Sequence, residues 1–341
     1  MELLTRRSFI RTAGTAALGT TLAACASTGE SKSGQTISGG KSLTELTFCL
    51  DWAPNTNHTG IYVAEAKGFF AEEGLAVKIV QPAEDGAEAM IGAGQAQFGV
   101  SFQDYIAGAL SSGNTGITAV AAIIQHNTSG IMSRAADGIT RPAAMEGHSY
   151  ATWDLPIEQA TLRQVVEKDG GDYDKIKLVP NNVDDEVAAL KGNMFDTVWV
   201  YEGWTVQNAA IQNYDVNYFS FISIDEVFDF YTPVVAANVQ FVQENPDVAK
   251  AFLRAVKKGY EFAIANPQEA ADMLCTAVPE LDAKLVSQSQ AYLADQYQAD
   301  AKSWGVIDGE RWKRFFAWLN EHKLVENALD AESGWTGEYL Q

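Results

Sequence analysis

The sequence predicts an α/β fold of two lobes. From Leu46 onward, short apolar strands alternate with amphipathic helical segments, the pattern of a sheet covered by helices on both faces. That alternation breaks at the polar, Gly- and Pro-containing stretch 133–142 and then starts again. About 300 residues follow the N-terminal segment, more than a single core ordinarily supports.

In the first block, 47–50 reads as a strand and 60–67 as a helix stopped by Gly68. Strand 77–80, helix 86–91, strand 98–101, helix 105–110 and the apolar strand 117–124 follow. In the second block, strand 149–152 leads into a helix from Pro156, a favoured first-turn residue, to Lys168. Strand 175–179, helix 184–191, strand 197–201, helix 203–212 and strand 218–222 complete it. An apolar run at 234–242 reads as one more strand, and the remainder to about Leu324 is helical. There Val248, Phe252, Val256 and Tyr260 recur at helical spacing.

Two αβ blocks joined by crossings near 134–142 and 228–235 make the two-lobed, type II architecture of periplasmic-type binding proteins, with two mixed or parallel sheets, hinge strands and closure around a ligand. Lobe 1 is expected at 45–135 together with 234–341, and lobe 2 at 136–233.

Residues 1–24 read as an export signal. Arg6-Arg7 is a twin-arginine pair, and the apolar run from Ala13 to Ala24 is too short and too rich in Gly and Thr to span a bilayer. The run ends in Leu22-Ala23-Ala24-Cys25, a lipobox in form, which makes Cys25 the expected lipidation site. Residues 25–44, rich in Ser, Gly and Thr, read as a flexible tether. The expected location is extracytoplasmic, lipid-anchored at the cell membrane.

The chain carries a formal charge of −20, and residues 1–24 hold Arg6, Arg7 and Arg11 against Glu2, so the part from Cys25 on is near −22. This balance argues against nucleic acid and anionic membrane surfaces as partners. Cys49 and Cys275 lie among apolar neighbours and read as free buried thiols, with a disulfide left open. His58, His126, His148 and His322 are not at metal-ligand spacing, and no nucleophile triad, Gly-x-Ser-x-Gly or phosphate loop is found. Neither a metal, a cofactor nor a catalytic role is expected.

Ligands of open αβ sheets bind beyond the carboxyl ends of the strands. That rule selects the run from Asp51-Trp52 through Asn55 to His58, then Ser101-Phe102-Gln103 and the run from Gln125 to Thr128. In the second block it selects Trp153-Asp154, Asn181-Asn182 and Tyr201-Glu202-Gly203-Trp204, and the returning crossing adds Asp229-Phe230-Tyr231. These tips carry aromatic rings, carboxylates and carboxamides, with no Lys or Arg. A sulfonate or nitrate calls for cations or converging N–H groups. A flat ring bearing an amino group calls for rings to stack on and carboxylates to accept its N–H bonds, and it fits these tips better. Side chains alternate along a strand, so only one of Tyr201 and Glu202 is expected to face the cleft.

The run from Asp51-Trp52-Ala53-Pro54 to Gly60, with Gly68-Phe69-Phe70 and Glu73-Gly74-Leu75, resembles the opening of the thiamine-pyrimidine binding proteins, in the superfamily of the yeast pyrimidine synthase. The run from Gln125 to Gly130, Trp199 to Trp204, Tyr231-Thr232-Pro233 and Lys258 to Ala263 extend the resemblance over about 46–320. It implies a receptor that hands formylaminopyrimidine, or a related aminopyrimidine precursor of thiamine, to an ABC permease and its ATPase. It implies ligand contacts from Asp51, Trp52, Tyr201 and Glu202, and by extension from Asn55, His58, Gln125, Trp153 and Tyr231. Another ligand such as riboflavin, an alkanesulfonate or nitrate is the alternative. The enzyme branch of the superfamily resembles a pyridoxal-phosphate protein that consumes its own His and has a Cys-rich loop. His58 falls where that His would lie, but the crossing from Phe228 to Pro233 contains no Cys.

Overall fold

Two mixed sheets carry the fold. The computed structural model describes residues 35–38, 41–183 and 185–341. The strands are β1 (Gln35–Ser38), β2 (Lys41–Cys49), β3 (Leu75–Val80), β4 (Phe98–Ser101), β5 (Ile117–Ala122) and β6 (Ser129–Arg134). They continue as β7 (Ser149–Thr152), β8 (Lys177–Pro180), β9 (Thr197–Tyr201), β10 (Val216–Ser220) and β11 (Val234–Asn238). The helices begin with α1 (Thr59–Ala66), α2 (Phe69–Glu72), α3 (Gly86–Gly92), α4 (Gln103–Ser111), α5 (Pro156–Lys168) and α6 (Glu186–Lys191). They end with α7 (Gln207–Ile211), α8 (Val239–Glu244), α9 (Pro246–Ala265), α10 (Pro267–Ala277), α11 (Ala283–Ala294) and α12 (Gly309–Glu321).

The first sheet runs β1-β2-β4-β11-β5, with β3 parallel beside β2 and β11 antiparallel to both β4 and β5. The second runs β10-β6-β9-β7-β8; β7 is parallel to β8 and β9, while β6 is antiparallel to β9 and β10. The chain therefore passes between sheets at 123–128 and returns at 221–233. The return overlaps the expected crossing. The first passage comes earlier than the expected 134–142, because β6 already belongs to the second sheet. Its Ser129-Gly130 start looks like a loop, yet Gly130 is needed there: a Cβ would come 2.2 Å from the Phe219 carbonyl oxygen.

The apolar run 234–242 also divides. Asn238 ends β11, and its side chain accepts the Phe241 N–H at 2.8 Å, capping α8. A short apolar run does not by itself distinguish strand from helix.

The C-terminal helices cover both sheets. Phe252 of α9 stacks on Phe98 of β4 at 4.0 Å and on Phe70 at 5.7 Å. Each such ring, fully buried, contributes about 1.5–3 kcal/mol. From α12, Trp318 meets Phe228 edge-on at 5.1 Å and donates its indole N–H to Gln164 of α5 at 2.6 Å. Cys49 and Cys275 are unpaired, and burial pushes the Cys49 thiol up to about 11. Among the described residues no helix is long and apolar enough to cross a membrane. The twin-arginine segment, Cys25 and most of the tether lie outside the described residues. Where the tether is described, 35–38 and 41–44 are not loose chain but strand, paired as β1 and the start of β2, so the first sheet begins before the expected 45.

Candidate functional site

The carboxyl ends of β2, β7 and β9 open on a cleft of about 500 Å³. One wall is the loop after β2. Asn55 caps a 3₁₀ turn at Thr56–His58, its side chain accepting the Asn57 N–H at 2.9 Å. The Asn55 backbone N–H donates to His58 Nδ1 at 3.1 Å, and His58 Nε2 lies 2.6 Å from Asp51 Oδ1. Two buried tyrosines fasten this loop from behind: Tyr260 donates to the Asn57 carbonyl and Tyr297 to that of Thr56, both at 2.6 Å. Trp52 is 55 % exposed in this otherwise fastened loop.

The facing wall comes from the second sheet. Trp153 follows β7, and its backbone N–H donates to the Glu158 carboxylate at 3.1 Å. Glu158 is buried at the start of α5 and also accepts from Tyr150 Oη at 2.7 Å, Thr152 Oγ1 at 3.1 Å and the Leu155 N–H at 3.2 Å. One carboxylate thus ties β7, the Trp153 loop and the first turn of α5 together, while the Trp153 ring is left 43 % exposed. Tyr201 ends β9 and leads into a π-helical turn, Glu202–Val206, a form frequent at functional sites.

Of the nine binding residues expected from sequence, Asp51, Trp52, Asn55, Trp153 and Tyr201 line this cleft. Four do not. His58 is fully buried behind Asp51. Glu202 accepts from Tyr292 Oη of α11 at 2.9 Å. Gln125 is buried and donates to the Val306 carbonyl at 2.8 Å. Tyr231, also buried, accepts the Asp308 N–H at 2.7 Å. The last two act as struts of the crossings, with their polar atoms satisfied within the protein. The cleft adds Trp204, Phe102, Asn57, Asp185 and Glu186. Phe102 and Trp204 stood in strand-end segments already singled out, whereas Asp185 and Glu186 lie beyond the Asn181-Asn182 tip, carried in by the turn into α6.

The field is negative. Asp51, Asp185 and Glu186 line the cleft, and no Lys, Arg or His among the described residues does. Burial pushes the Asp104 carboxyl up to about 7, with backbone N–H bonds opposing and the Glu88 charge adding. Burial likewise raises Tyr201, and the charges of Asp104 and Asp51 push in the same direction. Among the described residues, no three His, Cys, Asp or Glu side chains converge to hold a metal ion. The arrangement offers flat apolar faces and hydrogen-bond acceptors, which suits a planar ligand rich in N–H donors and opposes an anion.

The fold is that of solute-binding proteins. The aliphatic sulphonate binding protein SsuA from Escherichia coli superposes with a TM-score of 0.68 at 14% identity, covering 87% of this chain and 99% of that one. The alkanesulfonate-binding protein SsuA of Xanthomonas axonopodis pv. citri, bound to MOPS, gives 0.66 at 11% identity, covering 86% and 98%. By sequence, the chain is 28% identical to the formylaminopyrimidine-binding protein of Halalkalibacterium halodurans, over 88% of this chain and 92% of that one. It is 22% identical to a 4-amino-5-hydroxymethyl-2-methylpyrimidine phosphate synthase of Saccharomyces cerevisiae, over 88% of each. Residues 55–270 match the family described as NMT1/THI5 like, and the chain belongs to that family.

Proposed function

We propose that this protein is the extracytoplasmic solute-binding lipoprotein of an ABC importer, receiving a formylaminopyrimidine-like thiamine precursor and passing it to a permease driven by its ATPase. The observation that carries this reading is the cleft wall: aromatic rings and acceptors, with no cationic side chain among the described lining residues. Structural likeness to sulfonate-binding proteins extends to the fold, but a sulfonate here would meet carboxylates. In this reading Trp52, Trp153 and Tyr201 supply ring faces, and Asp51 and Asn55 accept or exchange hydrogen bonds with the ligand edge. The volume suits a ligand of about a dozen heavy atoms, given that small-molecule sites span about 300–1,000 Å³. The relation to the 28% identical formylaminopyrimidine-binding protein supports binding over catalysis. So does the absence of Cys from the crossing at 228–233.

Titration calorimetry with formylaminopyrimidine, taurine and nitrate tests the ligand. Micromolar binding of the pyrimidine requires about −8 kcal/mol, roughly −0.7 per heavy atom, within the limit for small ligands. Taurine binding without pyrimidine binding would refute the assignment. Anchoring is tested by Cys25→Ala, which is expected to shift the protein from the membrane to the soluble fraction after a carbonate wash.

A further inference from the structure

We infer that His58 is a specificity-determining positioning residue, which pins Asp51 as a one-sided hydrogen-bond acceptor so that the cleft takes an amino group and refuses an oxo group. The inference rests on the ligand reading above. His58 is fully buried and does not line the cleft, so any influence on the ligand passes through another residue.

The two ring nitrogens have different partners. Nδ1 receives the Asn55 backbone N–H at 3.1 Å and so must present a lone pair. The ring proton then sits on Nε2 and points at Asp51 Oδ1, 2.6 Å away. The ring has no freedom to exchange these roles. Asn55 is fastened at both ends, its side chain accepting the Asn57 N–H at 2.9 Å and donating to the Ala53 carbonyl at 3.1 Å. His58 is itself the last residue of the turn that Asn55 caps.

One oxygen of Asp51 is therefore committed. Oδ2 accepts no hydrogen bond from the described residues, and Asp51 lines the cleft. A carboxylate held this way accepts from an N–H donor and has no proton to offer a carbonyl. A 4-aminopyrimidine seated with its amino group on Oδ2 completes the pair, whereas in the same pose its 4-oxo counterpart sets oxygen against oxygen and must shift to bring its ring N–H there instead. Sites built around one polar partner reject the wrong analogue by about 10,000-fold or more when fully closed to water. Asp51 retains some exposure, so a smaller ratio is expected here.

The test compares formylaminopyrimidine with its 4-oxo analogue by calorimetry. Wild type is expected to prefer the amino form by at least about 100-fold, on the same argument. His58→Leu should cut that ratio about tenfold, taking the loss of one charge-assisted bond as the scale. His58→Gln, which places a donor near the Nε2 position, should restore most of it. In an Asp51→Asn background, His58→Leu should change the ratio no further. An unchanged ratio in His58→Leu, or equal losses for both ligands, overturns the inference. Nitrogen-15 NMR of the unliganded protein reads the pin independently: the Nε2–H tautomer is expected, and a protonated Nδ1 overturns the inference even where His58→Leu fails to fold. Wild-type protein that shows the expected tautomer but binds neither pyrimidine refutes the ligand reading, and with it the selectivity, while leaving the pin intact.

Discussion

His126, on the first passage between the sheets, is clamped to Asp229 on the second: Nδ1 lies 2.8 Å from Asp229 Oδ2. Its other nitrogen lies 2.9 Å from Asp300 Oδ1. Asp229 also accepts the Asn127 N–H at 3.1 Å and faces Arg311 Nε at 3.4 Å. The two segments connecting the lobes are thus cross-tied by a ring whose nitrogens both face carboxylates.

This tie should make stability depend on pH. The hydrogen bond to Asp229 raises His126 above the ordinary 6.5, that to Asp300 adds, and burial and Arg311 oppose. A His raised on folding contributes stability below its unfolded pKa and loses it as pH rises through the folded value. His126→Gln should therefore melt about 2 °C below wild type at pH 5–6, equivalent to about 1 kcal/mol, and the gap should close above the folded pKa. Melting curves across this range check it, and a gap that widens with pH would contradict it.

Packing of α1 on α9 depends on two glycines. A Cβ on Gly259 would lie 2.0 Å from the Gly60 carbonyl oxygen, which no rotamer change relieves. Gly259→Ala should cost about 3 kcal/mol or more in urea unfolding. Gly108→Ala in α4, whose Cβ meets nothing within 4 Å, should instead be neutral or gain up to about 1 kcal/mol.

Much of this was legible from residue order. β4, β7, β9 and α5 fall at their expected bounds, because each is a strong run edged by a clear punctuator such as Pro156. β6 was not, since Ser129 and Gly130 look like a loop until the neighbouring strand's backbone is known. In the site, the strand-end rule selects Asp51, Trp52, Trp153 and Tyr201, which line the cleft, and strand alternation lets only one of Tyr201 and Glu202 face it without saying which. It could not separate cleft from strut at Gln125 and Tyr231. Their burial comes from Val306 and Asp308, distant in sequence and brought there by the C-terminal segment.

Glu158 should be far more costly to lose than a surface carboxylate. Tyr150 and Thr152 would be left with unmet donors in a buried setting, and the half-buried Trp153 and Leu155 N–H groups would lose their acceptor. Glu158→Ala should destabilise by about 3 kcal/mol or more and weaken ligand binding through the freed Trp153 loop. Glu158→Gln, with one acceptor left, should fall between. Denaturant midpoints and calorimetry on the same preparations decide the order.

Trp52 separates stacking from packing. A core indole truncated to Ala costs about 3–5 kcal/mol of folding stability. Trp52 is 55 % exposed and flanked by the fastened Asn55 turn, so its removal leaves little unfilled. Trp52→Ala should therefore change stability by about 0.5 kcal/mol or less, as at ordinary surface positions. Its effect should appear in binding instead. Loss of one ring face costs about 1–3 kcal/mol, or about 5- to 150-fold in Kd, taking base stacking as the guide. Trp52→Phe keeps a ring and should recover much of that loss, whereas Trp52→Leu keeps apolar area without a π face and should not. Calorimetry with formylaminopyrimidine beside thermal melts of the free protein distinguishes these effects. A Trp52→Ala variant that melts several degrees lower yet binds like wild type would remove Trp52 from the site, and so would a Trp52→Leu variant that binds as well as Trp52→Phe.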